Sequence, residues 1–237
     1  MQRIMVAALV AMAVAGGTLC ASAGSNIYGV GGLIETPGDS LVPLGGVSIT
    51  GHYISEFFDS DDNVFAFGGA VGITPRLEVS AVGLDSDAPG VDTSALISGK
   101  FRIFSESIER PSVTVGIVDI ADELEDLNSE IDNPSFFVVF AKNLMPDVGG
   151  LGGIVARPLR GSLGFGTGLY KGVFAGLNWS AAPRVDVLAE YLSNGLRQKS
   201  TFNAALRFTP VRTISVQGGT IGFEDFYVGA TVSFGGF

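Results

Sequence analysis

One histidine, His52, stands in the whole chain, so any histidine-centred triad, general base or imidazole metal site must be built on it. Alternation puts it on one face with Ser48 and Thr50, an arrangement that could serve a serine and histidine lipid hydrolase of the outer membrane. No nucleophile elbow and no oxyanion-type glycine loop stands at a matching spacing, so the expected reading is a polar histidine facing a lumen. A second set of candidates is charged: Glu78, Lys100, Arg102, Arg184, Asp186, Glu190 and Arg207 fall on the less apolar face of their segments. Two roles are open to them. Arg and Lys could guide an anionic or hydroxyl-rich glycan while the acids tune selectivity, or all could form a neutralised ion network bracing a narrow barrel, since inward charges need partners. The bracing role is the expected one. The acidic stretch from Asp119 to Asp132 offers oxygen ligands for Ca²⁺ but lacks the ordered ligand and glycine spacing of an EF-hand loop, so solvated surface charge is expected there. No catalytic residue, metal site or cofactor is assigned, and the chain is expected not to be an enzyme.

What must position these residues follows from composition. Of 237 residues only 16% are charged, against about 25% in an ordinary soluble domain, and 34 are glycine. A mean hydropathy of +0.41 excludes a disordered chain. With 24 acids against 14 bases and a pI near 4.5, nucleic acid is excluded as a partner, because phosphate binding needs a basic face. Some apolar environment must cover the hydrophobic surface, yet beyond the N-terminus no apolar run approaches the ~20 residues of a membrane-spanning helix.

Residues 1–23 read as a secretory signal peptide: Arg3 supplies the positive start, Ile4 to Ala15 the apolar stretch, and Ala21-Ser22-Ala23 the small-residue cleavage site, with cleavage after Ala23. Cys20, the only cysteine, raises lipidation as an alternative, but bulky Leu19 stands where a lipobox has a small residue. Cleavage removes the thiol, and with it disulfides, cysteine metal sites and thiol nucleophiles.

From there the period is two. Ala95, Ile97, Phe101 and Ile103 alternate with Leu96, Ser98, Lys100 and Arg102; Phe202, Ala204, Leu206 and Phe208 alternate with Thr201, Asn203, Ala205 and Arg207. Such segments run over 46–56, 63–74, 77–84, 93–104, 111–119, 134–143, 160–169, 172–180, 184–192, 200–208, 213–220 and 226–234. About twelve strands are expected, with ten to fourteen inside the boundary uncertainty of such a count. Three connections share Pro/Arg chemistry, at Thr74-Pro75-Arg76, Ala182-Pro183-Arg184 and Thr209-Pro210-Val211-Arg212, while others are longer and acidic. Short turns at one end and polar loops at the other is the outer-membrane barrel pattern. The face opposite the aromatics decides the environment. It carries Ala66, Gly68, Ala70 and Gly72, or Gly164, Gly166 and Gly168, rather than the mixed charges of a soluble surface. Phe65, Phe67, Phe101, Trp179, Tyr191, Phe208 and Phe234 are therefore expected to meet lipid, and the sheet must close because an open edge in hydrocarbon is costly. The expected architecture is an all-β transmembrane antiparallel β-barrel over 46–237. Residues 24–45, rich in glycine and proline, are either a plug or a periplasmic tail. A terminal aromatic, Phe237, fits a barrel delivered to the insertion machinery. Such a barrel also supports a general small-solute pore if its lumen is open.

Four segments carry a family resemblance: Gly32-Leu33-Ile34-Glu35-Thr36-Pro37, Gly172-Val173-Phe174-Ala175-Gly176, Ala189-Glu190-Tyr191 and Asn203-Ala204-Ala205-Leu206-Arg207-Phe208. Together they resemble the YjbH-like outer-membrane barrel family. The resemblance implies an outer-membrane protein linked to exopolysaccharide production or export, with outer-membrane lipid, exopolysaccharide and secretion-machinery proteins as partners and no catalytic motif. This chain is shorter than the founding members and lacks their lipoprotein signature.

Overall fold

Alternating small and apolar side chains suit a strand that is packed on one face and bare on the other, and twelve such strands form one closed antiparallel barrel in the computed structural model. The structure describes residues 24–55, 62–87, 93–124, 131, 134–145, 158–195 and 199–235. The expected signal peptide with Cys20, and Phe237, lie outside the described residues. The strands are β1 (Val47–Ile54), β2 (Val64–Thr74), β3 (Leu77–Ser86), β4 (Ser94–Phe104), β5 (Ser112–Val118), β6 (Ser135–Met145), β7 (Leu159–Gly166), β8 (Gly172–Ala182), β9 (Val185–Leu192), β10 (Thr201–Val211), β11 (Ile214–Ile221) and β12 (Asp225–Phe234). Each pairs with its sequence neighbours, and β1 closes on β12 with Val47 opposite Phe234. No helix among the described residues is long and apolar enough to cross a membrane, which says nothing of crossing by strands.

The faces fall as alternation requires. Phe65, Phe136, Phe165, Phe202 and Leu206 point outward and are more than half exposed, while the residues between them are buried. Such a bare aromatic and aliphatic belt is the surface that hydrocarbon covers.

Two expectations are corrected at the short-turn end. Arg184 is not a lumen residue: it occupies the turn between β8 and β9, exposed, with φ at 67°. Pro183 ends the ladder one residue sooner than alternation suggests, so the parity of β9 starts at Val185. Pro210 is not a turn residue but lies inside β10, where the register shifts between Phe208 and Val211. A bulge lets the strand bend and excuses one residue from the ladder, which suits a residue without an N–H. The turn itself is Arg212-Thr213. The segment expected to reach residue 169 stops at Gly166, and Gly168–Tyr170 form a 3₁₀ turn.

Along the axis the interior changes character. Toward the loop end large apolar side chains predominate: Ile54, Leu84, Leu96, Val118, Leu192 and Ile221 are at most 2% exposed, together with Leu124, Leu169 and Tyr170 from the connections. The Tyr170 ring lies 5.4 Å from Phe137, 5.6 Å from Phe174 and 6.2 Å from Tyr28. Toward the short-turn end the inward residues are polar or charged, and there the N-terminal segment enters.

Candidate functional site

Residues 24–42 lie within the barrel as a plug, and 43–45 are exposed at its short-turn end. Ile27, Tyr28, Val30, Ile34, Glu35 and Thr36 are at most 2% exposed. Over residues 24–38 the segment folds back on itself, and only at its end does it pair with the wall, where Leu44 bridges Gly72 of β2 and Gly45 N donates to Gly72 O at 2.9 Å. Ile27 N donates to Ile34 O at 2.9 Å, Leu33 N to Thr36 O at 3.1 Å and Gly38 N to Gly31 O at 2.9 Å. Asn26 organises the fold: its Oδ1 accepts from the N–H groups of Tyr28 and Val30, and its Nδ2 donates to Glu35 O at 2.8 Å. Burial and the Glu35 charge push the Tyr28 hydroxyl well above its ordinary pKa, so it stays protonated and donates to Glu35 Oε1 at 3.0 Å.

The wall grips this plug at four places. On β9, Glu190 accepts three consecutive plug N–H groups, from Ile34 at 3.2 Å, Glu35 at 2.8 Å and Thr36 at 3.1 Å, and the Thr36 hydroxyl at 2.6 Å. Asn203 on β10 bridges the two carboxylates, its Nδ2 donating to Glu35 Oε2 at 2.7 Å and Glu190 Oε1 at 2.8 Å. Hydrogen bonds made to a carboxylate are roughly twice as strong as neutral ones, so this is a firm anchor.

Across the lumen, Glu78 and Lys100 form a buried pair at 3.6 Å with side chains 1% and 0% exposed. Neither is left with the other alone, and each makes bonds that satisfy its remaining valences. Glu78 accepts from Val42 N at 2.6 Å and Gly31 N at 3.2 Å; Lys100 Nζ donates to Gly31 O at 2.8 Å and to Ser40 O. Gly31 must be glycine here: a Cβ would lie 2.6 Å from Ser40 O and 2.9 Å from Lys100 Nζ.

The third grip is a polar chain through β10, β11, β12 and β1. Arg207 donates to Gln217 Oε1 at 2.9 Å and to the plug carbonyls of Gly32 and Leu33 at 3.0 and 3.3 Å, while Gln217 reaches Ser25 O and the Tyr227 hydroxyl. His52 ends the chain, buried, its Nδ1 3.0 Å from the Tyr227 hydroxyl and its Nε2 2.7 Å from Thr50 Oγ1.

The fourth grip is wetter. Arg160 at the start of β7 donates Nε to Asp39 Oδ1 at 3.0 Å and Nη2 to Asp39 Oδ2 at 2.5 Å, and Nη1 to Glu106 Oε2 at 2.7 Å. Ser112 Oγ donates to Asp39 Oδ2 at 2.5 Å, and Arg102 Nη2 to the Asp39 carbonyl at 2.5 Å. Burial alone would raise the Asp39 carboxyl, but the bonds from Arg160 and Ser112 and the charges of Arg160 and Arg102 outweigh it and hold it below the usual range. Glu106 is lowered in the same way, its burial outweighed by Asn143 N–H and Arg160. Asp186 faces the same end of the lumen and accepts from Ser180 Oγ at 2.7 Å.

No known protein family matches the chain, and no curated protein matches it in sequence. Among solved structures it superposes on a KdgM porin with a TM-score of 0.52 at 10% identity, over 80% of this chain and 99% of that one. A KdgM porin in complex with disordered oligogalacturonate gives 0.54 at 12% identity, again over 80% and 99%. The fold is that of an outer-membrane porin.

Within this porin fold, seven of the eight candidate residues face the interior. Glu78, Lys100, Arg102, Glu190 and Arg207 bind the plug, His52 braces the wall beside it, and Asp186 lines the short-turn end; Arg184 stands outside. Where it is described, the acidic stretch divides: Asp122 is exposed, as expected of solvated charge, while the Asp119 carboxylate is buried and accepts the N–H groups of Glu123 and Leu124 at 3.0 and 2.8 Å. Residues 125–130, 132 and 133 lie outside the described residues, and no group of three or more potential metal-ligating side chains is found among those described. Sequence reasoning missed Asp39, Glu106, Ser112, Arg160, Asn203 and Gln217 as site residues. Arg160 shares the parity of the inward Gly164 and Gly166, which could have found it. Asp39 belongs to a segment without period, where no pattern says what it faces.

Proposed function

We propose that this chain is a non-enzymatic outer-membrane β-barrel acting in exopolysaccharide production or export, with its lumen closed at rest by residues 24–42. One observation carries the reading. The four segments that resemble the YjbH-like family meet at one buried cluster: Ile34, Glu35 and Thr36 dock on Glu190, Asn203 bridges Glu35 and Glu190, Arg207 holds Gly32 and Leu33, and Gly176 lies against Leu33 with no room for a Cβ. Segments far apart in sequence, with 156 residues separating Ile34 from Glu190, resemble one family and also build one site. In this reading the signal peptide delivers the chain to the outer membrane, the short-turn end faces the periplasm, and secretion-machinery proteins bring the polymer to it. Deleting the gene and measuring surface polysaccharide under producing conditions tests this; a clear fall is expected, and unchanged polysaccharide would sink it.

A second reading, a small-solute pore, is favoured by the likeness to KdgM porins, one of them solved with oligogalacturonate. It requires the plug to move. In planar lipid bilayers, a verified heat-modifiable barrel is expected to be silent, and long-lived openings by the unaltered chain would favour the pore. The hydrolase reading has a direct check as well. His52→Ala should leave lipid and ester hydrolysis at background, as in the unaltered chain; activity present in the parent and lost in the variant would overturn the non-enzymatic reading.

A further inference from the structure

Asp39 is held as a bound carboxylate ligand would be held. Arg160 meets it with two parallel N–H bonds, the fork that matches a carboxylate, and Ser112 adds a hydroxyl donor. The fork is itself aimed: Nη1 of Arg160 is tied to Glu106, and Glu106 is fixed by Asn143 N at 2.9 Å. Unlike the Glu78 and Lys100 pair, this cluster is reached by water, with side-chain exposures of 28% for Arg160, 13% for Asp39 and 23% for Glu106. Beside it is a cavity of about 240 Å³ lined among others by Ser162, Asn178, Asp186, Arg207 and Thr209, enough for one sugar ring. Its walls mix donors and acceptors, as hydroxyl recognition requires. Asn178 Oδ1 is buried there with no hydrogen-bond partner among the described residues.

We propose that Arg160 and Ser112 form a carboxylate site for an acidic saccharide, that Asp39 of the plug occupies this site in the closed barrel, and that a uronic acid residue seated in the neighbouring cavity displaces the Asp39 side chain, while Lys100 and Glu78 keep hold of the Gly38, Ser40 and Val42 backbone around it. The inference rests on the saccharide-handling reading and names its substrate class. The exchange replaces one carboxylate by another, so the Arg160 charge is never left unpaired, and a neutral sugar has no group to make the swap. The cavity supplies what the carboxylate site alone does not, partners for hydroxyls, which is why a saccharide rather than an acidic peptide is the expected ligand. The site lies at the short-turn end, from which an exported chain would arrive.

The test uses the refolded barrel in detergent, shown to be heat-modifiable, with trigalacturonate as probe and calorimetry as readout. Asp39→Ala should bind trigalacturonate about tenfold tighter or more, because a built-in competitor lowers apparent affinity by the fraction of time the site is free. Arg160→Ala, in either background, should abolish binding; if it does not refold, Arg160→Lys, which keeps the charge and loses the fork, should weaken it at least tenfold. Maltotriose should bind none of the variants. Equal affinities in the parent and Asp39→Ala, binding that ignores Arg160, no binding by any variant, or equally tight binding of a short poly-glutamate would each overturn the proposal. Arg160-dependent binding combined with unchanged surface polysaccharide in the gene deletion would support this site while taking down the cellular role, so the two failures are distinguishable.

Discussion

The two ion clusters that hold the plug use similar groups in opposite settings. Glu78 and Lys100 sit without water and bond to plug backbone as well as to each other; Asp39, Arg160 and Glu106 sit at the mouth of the lumen, where solvent reaches all three. In the dry setting an ion loses hydration that only its neighbours can replace, so removing one partner strands the other. In the wet setting water replaces whatever leaves, and the pair contributes little. Both clusters hold the same stretch of plug: the backbone of Ser40 and Val42 is fixed by Lys100 and Glu78, while the neighbouring Asp39 side chain can exchange partners.

The sharpest way to break this contrast is Glu190→Ala. It leaves the N–H groups of Ile34, Glu35 and Thr36, the Thr36 hydroxyl and the Asn203 amide short of an acceptor in a place water does not reach. A loss of about 3–5 kcal/mol is expected, read as a lower unfolding temperature of the heat-modifiable band together with new protease cleavage within 24–45. A variant with parental stability would mean that the plug is not anchored there.

The dry pair is next. Lys100→Met and Glu78→Gln should each cost about 3 kcal/mol, and the double variant less than the sum of the two, because the second change removes the charge that the first stranded. Strict additivity would show that the two side chains act on the plug independently.

The strands were open to sequence reasoning because a lipid-facing barrel repeats one physical demand at every second residue, and each observed strand lies close to its predicted span. Lumen charges followed from the same parity: Lys100 and Glu190 needed only alternation to be placed inside. Their partners did not, since Glu190 finds Ile34, Glu35 and Thr36 across 154 to 156 residues of chain, in a segment whose backbone bonds come from a fold-back set by Asn26. Arg184 was misplaced because parity was extended one residue into a turn.

At the wet end the effects are smaller and respond to solution conditions. Asp39→Asn keeps the shape but loses the charge, so a cost of about 1 kcal/mol is expected at low salt, shrinking toward zero at high salt. Acidification should imitate it. The folded carboxyls of Asp39 and Glu106 are held below their unfolded values, so their contribution is complete above the ordinary carboxylate range and is lost as pH falls through the folded values. Bilayer recordings or protease access next to Asp39 should show local loosening in acid, and the Asp39→Asn variant should show less of it. A plug equally tight at every pH would put the latch elsewhere.

The smallest effect expected has the opposite sign and lies outside the lumen. Arg184 holds φ at 67° in its two-residue turn, a left-handed conformation that costs a β-carbon-bearing residue about 1 kcal/mol. Glycine removes that cost, while its own freedom in the unfolded chain takes part of the gain away. Arg184→Gly should therefore leave stability unchanged or raise it by up to about 1 kcal/mol, with no change in plug protection or trigalacturonate binding. A loss comparable to that of the wet latch would mean that the guanidinium does belong to the interior network, which is where strand parity alone would have put it.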